Sequence, residues 1–467
     1  MKKYGILAAL VAVVVAGIVC WQLFKGRDDS MASSIPVDAT MVGRLDLKTL
    51  VVDYGMDFAD LKQMLSEDRE TGIKYQTAAY VFASKGQLGA IVALSDEDEF
   101  QAMLEKQGCS IEEQRGMKWG VLNGNVLVGF DDDRAMLMGP AVGSEQEGLR
   151  NTIYACMKQK ASESGKQERL YKILDKRKEP VAMVANFSSL PADMLKPYTK
   201  YLNIPLEQLD LTAGFIAEKE RLTLKFGLQS DYAETNKQLD HLEDLLEEID
   251  GDLNQTLPAN ALFSIVMGVD GEDLVERLRE NKVSRTALLA ANMVLDLDMI
   301  LKSLDGDVAL SVLNMDNDTP NVLFQAKLDN DKFMKKVGEW NDATSRSMGF
   351  SFYAQDNNQA VCMYNGTPIY FGTKDKRLLI SDSEAMIRGG NADAKWSLAS
   401  EMKGKRLFAT LDIAHLFPLL DKNGVTRFIP LLQHFERMNF SLRDARDVQV
   451  ELVVSKGTDI FKELTKE

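Results

Sequence analysis

Ser400, Glu401, Met402 and Lys403 form a Ser-x-x-Lys string, a spacing at which a lysine amine can take the proton of a serine nucleophile. The companion Ser-Asp-Asn and Lys-Thr-Gly strings of that chemistry are absent, so the string predicts no acyl transfer. The three histidines, His241, His415 and His434, have no second histidine or cysteine at ligand spacing, and no His-Glu-x-x-His occurs. A zinc site needs three or four such ligands converging, so none is expected. A Gly-x-Ser-x-Gly elbow and a phosphate-cradling Gly-x4-Gly-Lys-Ser/Thr loop are also missing. Asp316, Asn317 and Asp318 with Asn321, and separately Asp131 to Asp133, crowd oxygen ligands together. The first of these loops has Asn321 where a calcium loop turns on glycine and Lys327 where it needs a bidentate glutamate. Both read as solvated turns. Acids at Ser95 to Glu99 and at Asp329 to Asp331 follow strands and suit helix amino termini.

Cys109, Cys156 and Cys362 make an odd set without a Cys-x-x-Cys pair, which reads as three buried thiols, with one disulfide and one thiol as the alternative. Of the 22 methionines, Met136 and Met138 alternate in a strand, and Met293 and Met299 sit on an expected helix. Both pairs read as core filling. No catalytic, cofactor-binding or metal-binding residue is assigned, and no cofactor is expected.

The elements that would have to position any chemistry come next. With 467 residues, 45% hydrophobic and 27% charged, the chain exceeds one ordinary core, and two domains are expected. Residues 1–27 carry four basic residues and no acid, leaving 51 basic against 70 acidic residues in the rest, a net charge of −19. Such a surface repels phosphates, so nucleic acid is not an expected partner.

Tyr4 to Phe24 reads YGILAALVAVVVAGIVCWQLF between Lys2 and Lys3 on one side and Lys25 and Arg27 on the other. As a helix it spans roughly 32 Å, enough for a hydrocarbon core of about 30 Å. The stretch is longer than a cleavable signal and ends in Trp21 and Leu23 rather than in small residues. Residues 1–27 are therefore expected to be a membrane anchor or signal-anchor, single-pass, with the bulk of the chain facing the periplasm. Cleavage, and lipidation at Cys20, are the alternatives; Ile18 and Val19 before Cys20 are poor cleavage residues.

The chain then says the same thing twice. IPVDATMVGRLDLKTL from Ile35 and LPANALFSIVMGVDGEDL from Leu257 both read as a turn proline, an apolar strand and an acidic helix entry, offset by 222 residues. LNGNVLVGFDDDRAMLMG from Leu122 matches YNGTPIYFGTKDKRLLIS from Tyr364, and each carries Asn-Gly between apolar strands, the signature of a tight hairpin. ANFSSL from Ala185 matches ATLDIA from Ala409, and Leu222, Leu224 and Phe226 match Val448, Val450 and Leu452. The order of the four blocks is the same in both halves, which implies a tandem duplication.

Within the copies, Ser284 to Leu304 predicts one helix stopping at Asp305 and Gly306, and Val308, Leu310 and Val312 predict a strand. Ala90, Val92 and Leu94 predict a strand leading to a helix capped by Ser95. Hairpins are expected at Glu218 to Glu220 and near Asp444 to Asp447. The charged helix QLDHLEDLLEEID closes the first copy. Hairpins without regular βαβ alternation argue α+β with mainly antiparallel sheets: an N-terminal transmembrane helix, then repeats at 28–251 and 252–467.

The phrases IPVDATMVGRLDLKTL, the second proline-led phrase at Leu257, and LDGDVALSV at Leu304 resemble a family of envelope proteins of Bacteroides-type bacteria grouped as domain of unknown function number 4836. The resemblance spans nearly all of Ile35 to Glu467. It implies an exported, membrane-tethered protein and supplies no catalytic residues. The reading reached is a membrane-tethered, envelope-facing binding or scaffold protein of unknown ligand, whose partner is an envelope protein or polymer. The alternative is a hydrolase whose dispersed acids one sequence does not reveal.

Overall fold

A computed structural model describes residues 29–460 apart from 47, 51–70, 75, 142, 191–203, 244–245, 281, 315–320, 342–345, 347, 356–357, 389–397 and 423–429. The apolar stretch Tyr4 to Phe24 with its Cys20, and Asp316, Asn317 and Asp318, lie outside the described residues. No helix among the described residues is long and apolar enough to cross a membrane. The protein is α+β with antiparallel strand pairing, and it divides into two compact units, residues 1–236 with 459–467, and residues 237–458.

In the first unit the strands are β1 (Met41–Leu45), β2 (Ala79–Ser84), β3 (Gln87–Ala93), β4 (Glu112–Gln114), β5 (Met117–Leu122), β6 (Val126–Phe130), β7 (Arg134–Gly139), β8 (Val181–Asn186), β9 (Asp210–Glu218) and β10 (Arg221–Gln229). They lie side by side in the order β4-β5-β6-β7-β3-β2-β1-β8-β9-β10. Helix α1 (Glu97–Lys106) is capped by Asp96, which accepts from the Glu99 amide at 2.9 Å. The cap is thus one residue later than the expected Ser95, because a carboxylate one step closer to the first turn competes better for the free amides. Phe100 and Leu104, one turn apart, are buried, and Phe100 meets Phe130 edge-on at 5.1 Å. Helix α2 (Gln146–Lys158) buries Leu149, Ile153, Cys156 and Met157, and α3 (Arg169–Asp175) buries Leu170, Tyr171 and Leu174. This 3-4 spacing gives each helix one apolar face. The faces share a core with Trp119, Tyr80, Phe82, Met136 and Met138, so those two methionines fill the core as expected.

Helix α4 (Ala233–Glu243) contains the division between the units. The charged helix is shorter than the sequence pattern suggests, since Glu247 already pairs with Gly268 as a β-bridge.

The strands of the second unit are β11 (Phe263–Asp270), β12 (Leu304–Asn314), β13 (Asn321–Leu328), β14 (Phe350–Ala354), β15 (Gln359–Tyr364), β16 (Thr367–Lys374), β17 (Arg377–Ser381), β18 (Leu407–Asp412), β19 (Phe435–Asp444) and β20 (Asp447–Val454). Their order is β14-β15-β16-β17-β13-β12-β11-β18-β19-β20. Numbered from its own first strand, each unit reads in the same order. Asn123 (φ 50°) and Gly124 (φ 72°) make the β5-β6 turn, and Asn365 (φ 48°) and Gly366 (φ 88°) make the β15-β16 turn. The expected hairpins at residues 219–220 and 445–446 are also present.

Helix α5 (Gly271–Glu280) starts where Asp270 accepts from the amides of Glu272 and Asp273 at 2.8 and 3.0 Å. In the first unit Asp46 likewise accepts from the Thr49 amide at 3.1 Å. The single helix expected over Ser284 to Leu304 is instead α6 (Lys282–Ala291) and α7 (Leu297–Lys302). Side chains break it: Asn292 accepts from the Asp298 amide and Asp296 from that of Met299, offering the backbone non-helical partners. The strand β12 starts at Leu304, so Asp305 and Gly306 are strand residues and not a helix stop. Met293 falls in the break and is 62% exposed, so it does not fill the core, whereas Met299 packs against it. The acids at residues 329–331 precede a 3-10 turn, Lys332–Lys336, rather than an α-helix. Among the described residues the unit also has α8 (Glu384–Ile387), α9 (Ala399–Met402) and α10 (Ile413–Lys422). Cys109, Cys156 and Cys362 are free and buried. Burial away from polar partners pushes the Cys156 thiol up to about 11.

Candidate binding site in the second unit

Ser264 follows Phe263 at the start of β11 and shares a sheet face with Val266, two residues on. Val266 is core, packed with Ala309, Phe408, Leu398 and Met402. The next step of the same face is polar across four strands. Ser311, Ser264, Thr410 and Asn439 stand directly opposite one another on β12, β11, β18 and β19, and all four are buried. Hydroxyls and amides in such a place cost stability unless paired. They are paired: Ser264 and Ser311 share a hydrogen bond of 2.9 Å, and Thr410 Oγ1 donates to Asn439 Oδ1 at 3.0 Å.

Helix α9 fixes the direction of this row. Glu401 Oε2 accepts from Asn439 Nδ2 at 2.8 Å, and Glu401 Oε1 accepts from Arg437 Nη2 at 3.2 Å. A carboxylate only accepts, so the amide must turn its nitrogen to Glu401 and its oxygen to Thr410. The Thr410 proton is thereby committed to Asn439, and its oxygen lone pairs are left to accept.

The two middle members of the row, Ser264 and Thr410, border a cavity of about 160 Å³ together with Asp412, Glu436, Arg437, Pro258, Ala259, Ala261 and Leu398. Among the described residues, Arg437 Nε is buried and has no hydrogen-bond partner. Asp412 also caps α10, accepting from the His415 amide at 3.0 Å, with His415 Nδ1 2.7 Å from its second oxygen. His415 itself is 78% exposed in its side chain, so it serves the helix end rather than the cavity.

In the first unit the residues opposite the second position of β1 are Val184 and Thr212, and it is the end of β8 that is built from charge. Asn186 stands opposite Asp210 on β8 and β9, and Asp210 is 1% exposed. Arg169, at the start of α3, reaches both oxygens of Asp210 at 2.5 and 2.9 Å. Desolvation pushes the Asp210 carboxyl up, opposed by the Arg169 charge. A second buried acid, Asp307 on β12, accepts from the amides of Asp250, Gly251 and Leu253 at 2.9, 2.8 and 3.4 Å. Its carboxyl is also pushed up by burial, against those three amides. Asp307 clasps the segment that enters the second unit.

The residues singled out by type and spacing do not assemble. Ser400 and Lys403 are both exposed, and the working residue of their string is Glu401. His434 ends the 3-10 turn Pro430–His434, and the His241 side chain lies outside the described residues. Asp131 closes the β6-β7 turn by accepting from the amides of Asp133 and Arg134 and pairs with Lys158 at 3.0 Å. Among the described residues no three His, Cys, Asp or Glu side chains are grouped so as to hold a metal ion. The residues that do build the site, Ser264, Ser311, Thr410 and Asn439, carry no motif. Their signal was positional: Ser264, Ser311 and Thr410 occupy the parity at which their strands otherwise bury an apolar residue, as Val266, Ala309 and Phe408 show.

Among curated proteins none matches the chain. It is similar to solved structures of TP0453. Crystal form I is 14% identical, covering 46% of this chain and 84% of that one with a TM-score of 0.29. Crystal form III is 13% identical, covering 46% and 86% with a TM-score of 0.31. The family match is far broader, running over residues 54–421, and the chain belongs to the family described as domain of unknown function DUF4836.

Proposed function

We propose that this protein is a membrane-tethered binding or scaffold module of the cell envelope, with Tyr4 to Phe24 as a single-pass anchor and the bulk of the chain in the periplasm. The body is two tandem repeats, 28–251 and 252–467. Supporting the duplication are the shared strand order of ten strands per unit, the Asn-Gly turns at equivalent hairpins, and the helix-capping acids Asp46 and Asp270.

The observation that carries the binding reading is the cavity beside Ser264 and Thr410, the middle of the Ser311–Ser264–Thr410–Asn439 row. The first unit closes the end of β8 against β9 with an Arg169–Asp210 charge pair. The second keeps a neutral, fully oriented hydrogen-bond row beside open space, with a buried Arg437 Nε still to be satisfied. Preoriented polar groups against a partly apolar wall are what a small-ligand site requires.

The test is photo-crosslinking in intact cells from a reactive residue placed at Glu436, on the cavity rim, against the same residue at Glu113, on the exposed edge strand β4. The reading predicts an adduct in the membrane fraction from position 436 well above that from 113. Equal yields, or a chain recovered in the soluble fraction with its amino terminus intact, would overturn it.

A further inference from the structure

We infer that the second-unit cavity takes a neutral, hydroxyl-rich unit of monosaccharide size. This deepens the binding reading and rests on it.

Size sets the first bound. A cavity of about 150 Å³ holds one benzene-sized ring, so about 160 Å³ admits roughly one six-membered ring. That is well below the roughly 300 to 1,000 Å³ of sites that enclose cofactors or drug-sized ligands, so a nucleotide or an acyl chain does not fit whole.

Charge sets the second. The wall carries the carboxylates Asp412 and Glu436 against the single guanidinium Arg437. That guanidinium is already held by Glu401 at 3.2 Å and lies 4.0 Å from Glu436. A phosphate or carboxylate ligand would meet net negative charge with its only cation engaged, which disfavours it.

Hydrogen-bond direction sets the third. Thr410 offers lone pairs because its proton goes to Asn439, and Asp412 and Glu436 only accept. The site thus wants several donors from its ligand. Vicinal hydroxyls supply them. The rest of the lining, Pro258, Ala259, Ala261 and Leu398, is apolar and suits the C–H face of a sugar ring. Such a unit can arrive as a free sugar or as the end of a glycan chain.

Saturation-transfer NMR on the full chain in detergent micelles tests this, with methyl α-glucoside, methyl β-galactoside and maltotriose as neutral probes and alanine and ethanolamine as charged ones. Transfer to at least one sugar is expected. Transfer to the simple glycosides alone identifies a free sugar, and transfer to maltotriose confined to one terminal ring identifies a glycan end. Ala261→Phe should abolish the signal by filling the cavity, and Thr410→Val should weaken binding roughly tenfold through loss of one hydroxyl. Since Thr410→Val also strips Asn439 of a donor and can unsettle the unit, Ala261→Phe, on the partly exposed wall, is the decisive variant. Transfer to alanine or ethanolamine but to no sugar, lost in Ala261→Phe, overturns the ligand class and leaves the binding reading standing. No transfer to any probe also overturns the ligand class, and the crosslinking from position 436 then decides the binding reading separately.

Discussion

Thr410 and Asn439 face each other across β18 and β19, with Oγ1 donating to Oδ1 at 3.0 Å, and in the first unit Asn186 and Asp210 face each other where β8 ends against β9. Strand order is shared and side-chain chemistry is not. The first unit sets an arginine on a buried carboxylate there, and the second sets a carboxylate on a buried amide. One arrangement is a closed charge pair that holds a helix to the sheet. The other leaves an oriented row with lone pairs to spare.

Arg169→Met should destabilise the first unit by about 3 kcal/mol, the low end of the range for stranding a buried charge because Arg169 is 36% exposed. Adding Asp210→Asn should recover part of that loss, since the stranded group becomes neutral. Urea denaturation of the two variants, followed by circular dichroism, measures both steps.

Asp307 makes a pH prediction. Burial raises its folded carboxyl above the ordinary value of 3.8, so between 3.8 and the raised value the folded protein binds more protons than the unfolded chain. Stability from this group is therefore greatest below 3.8 and is lost as pH rises through the folded value. The stability of the wild type minus that of Asp307→Asn should grow as the solution is acidified from neutral toward pH 3.8. A difference that shrinks on acidification would contradict the burial argument.

Gly124→Ala and Gly366→Ala should each cost about 1 kcal/mol, because both glycines have positive φ while an added methyl would meet nothing within 4 Å. The cost is one of backbone conformation alone, so the two variants should match. Thermal unfolding of each variant checks this.

With Cys20 replaced by Ser, none of the remaining thiols should react with a disulfide reagent in the native protein, because Cys109, Cys156 and Cys362 are buried and burial raises each thiol above its ordinary range. All three should titrate in denaturant. A thiol reacting at native pH 8 would place that cysteine at the surface.

Much of the architecture was legible because local rules agree with it. Asn-Gly between apolar strands can hardly be anything but a tight turn, and the acids at Asp46 and Asp270 mark helix starts because free amides want them. The break between α6 and α7 was not legible from periodicity, since Leu289, Met293, Leu297 and Leu301 keep a helical rhythm straight through it. The contacts of Asn292 with the Asp298 amide and of Asp296 with the Met299 amide reveal the competing backbone partners. The site was hidden for a different reason. Ser264, Ser311, Thr410 and Asn439 lie up to 175 positions apart in the chain and become a row only through β pairing. Spacing along the chain points to Ser400 and Lys403 instead, and folding turns both of these outward while pointing Glu401 in.

The most direct measurement is crosslinking from position 436 in cells that carry Ala261→Phe beside cells with the otherwise native chain. If the cavity is the binding site, plugging it lowers the adduct to the level seen from Glu113 while the chain remains folded and membrane-bound. An undiminished adduct from the plugged protein would contradict the account.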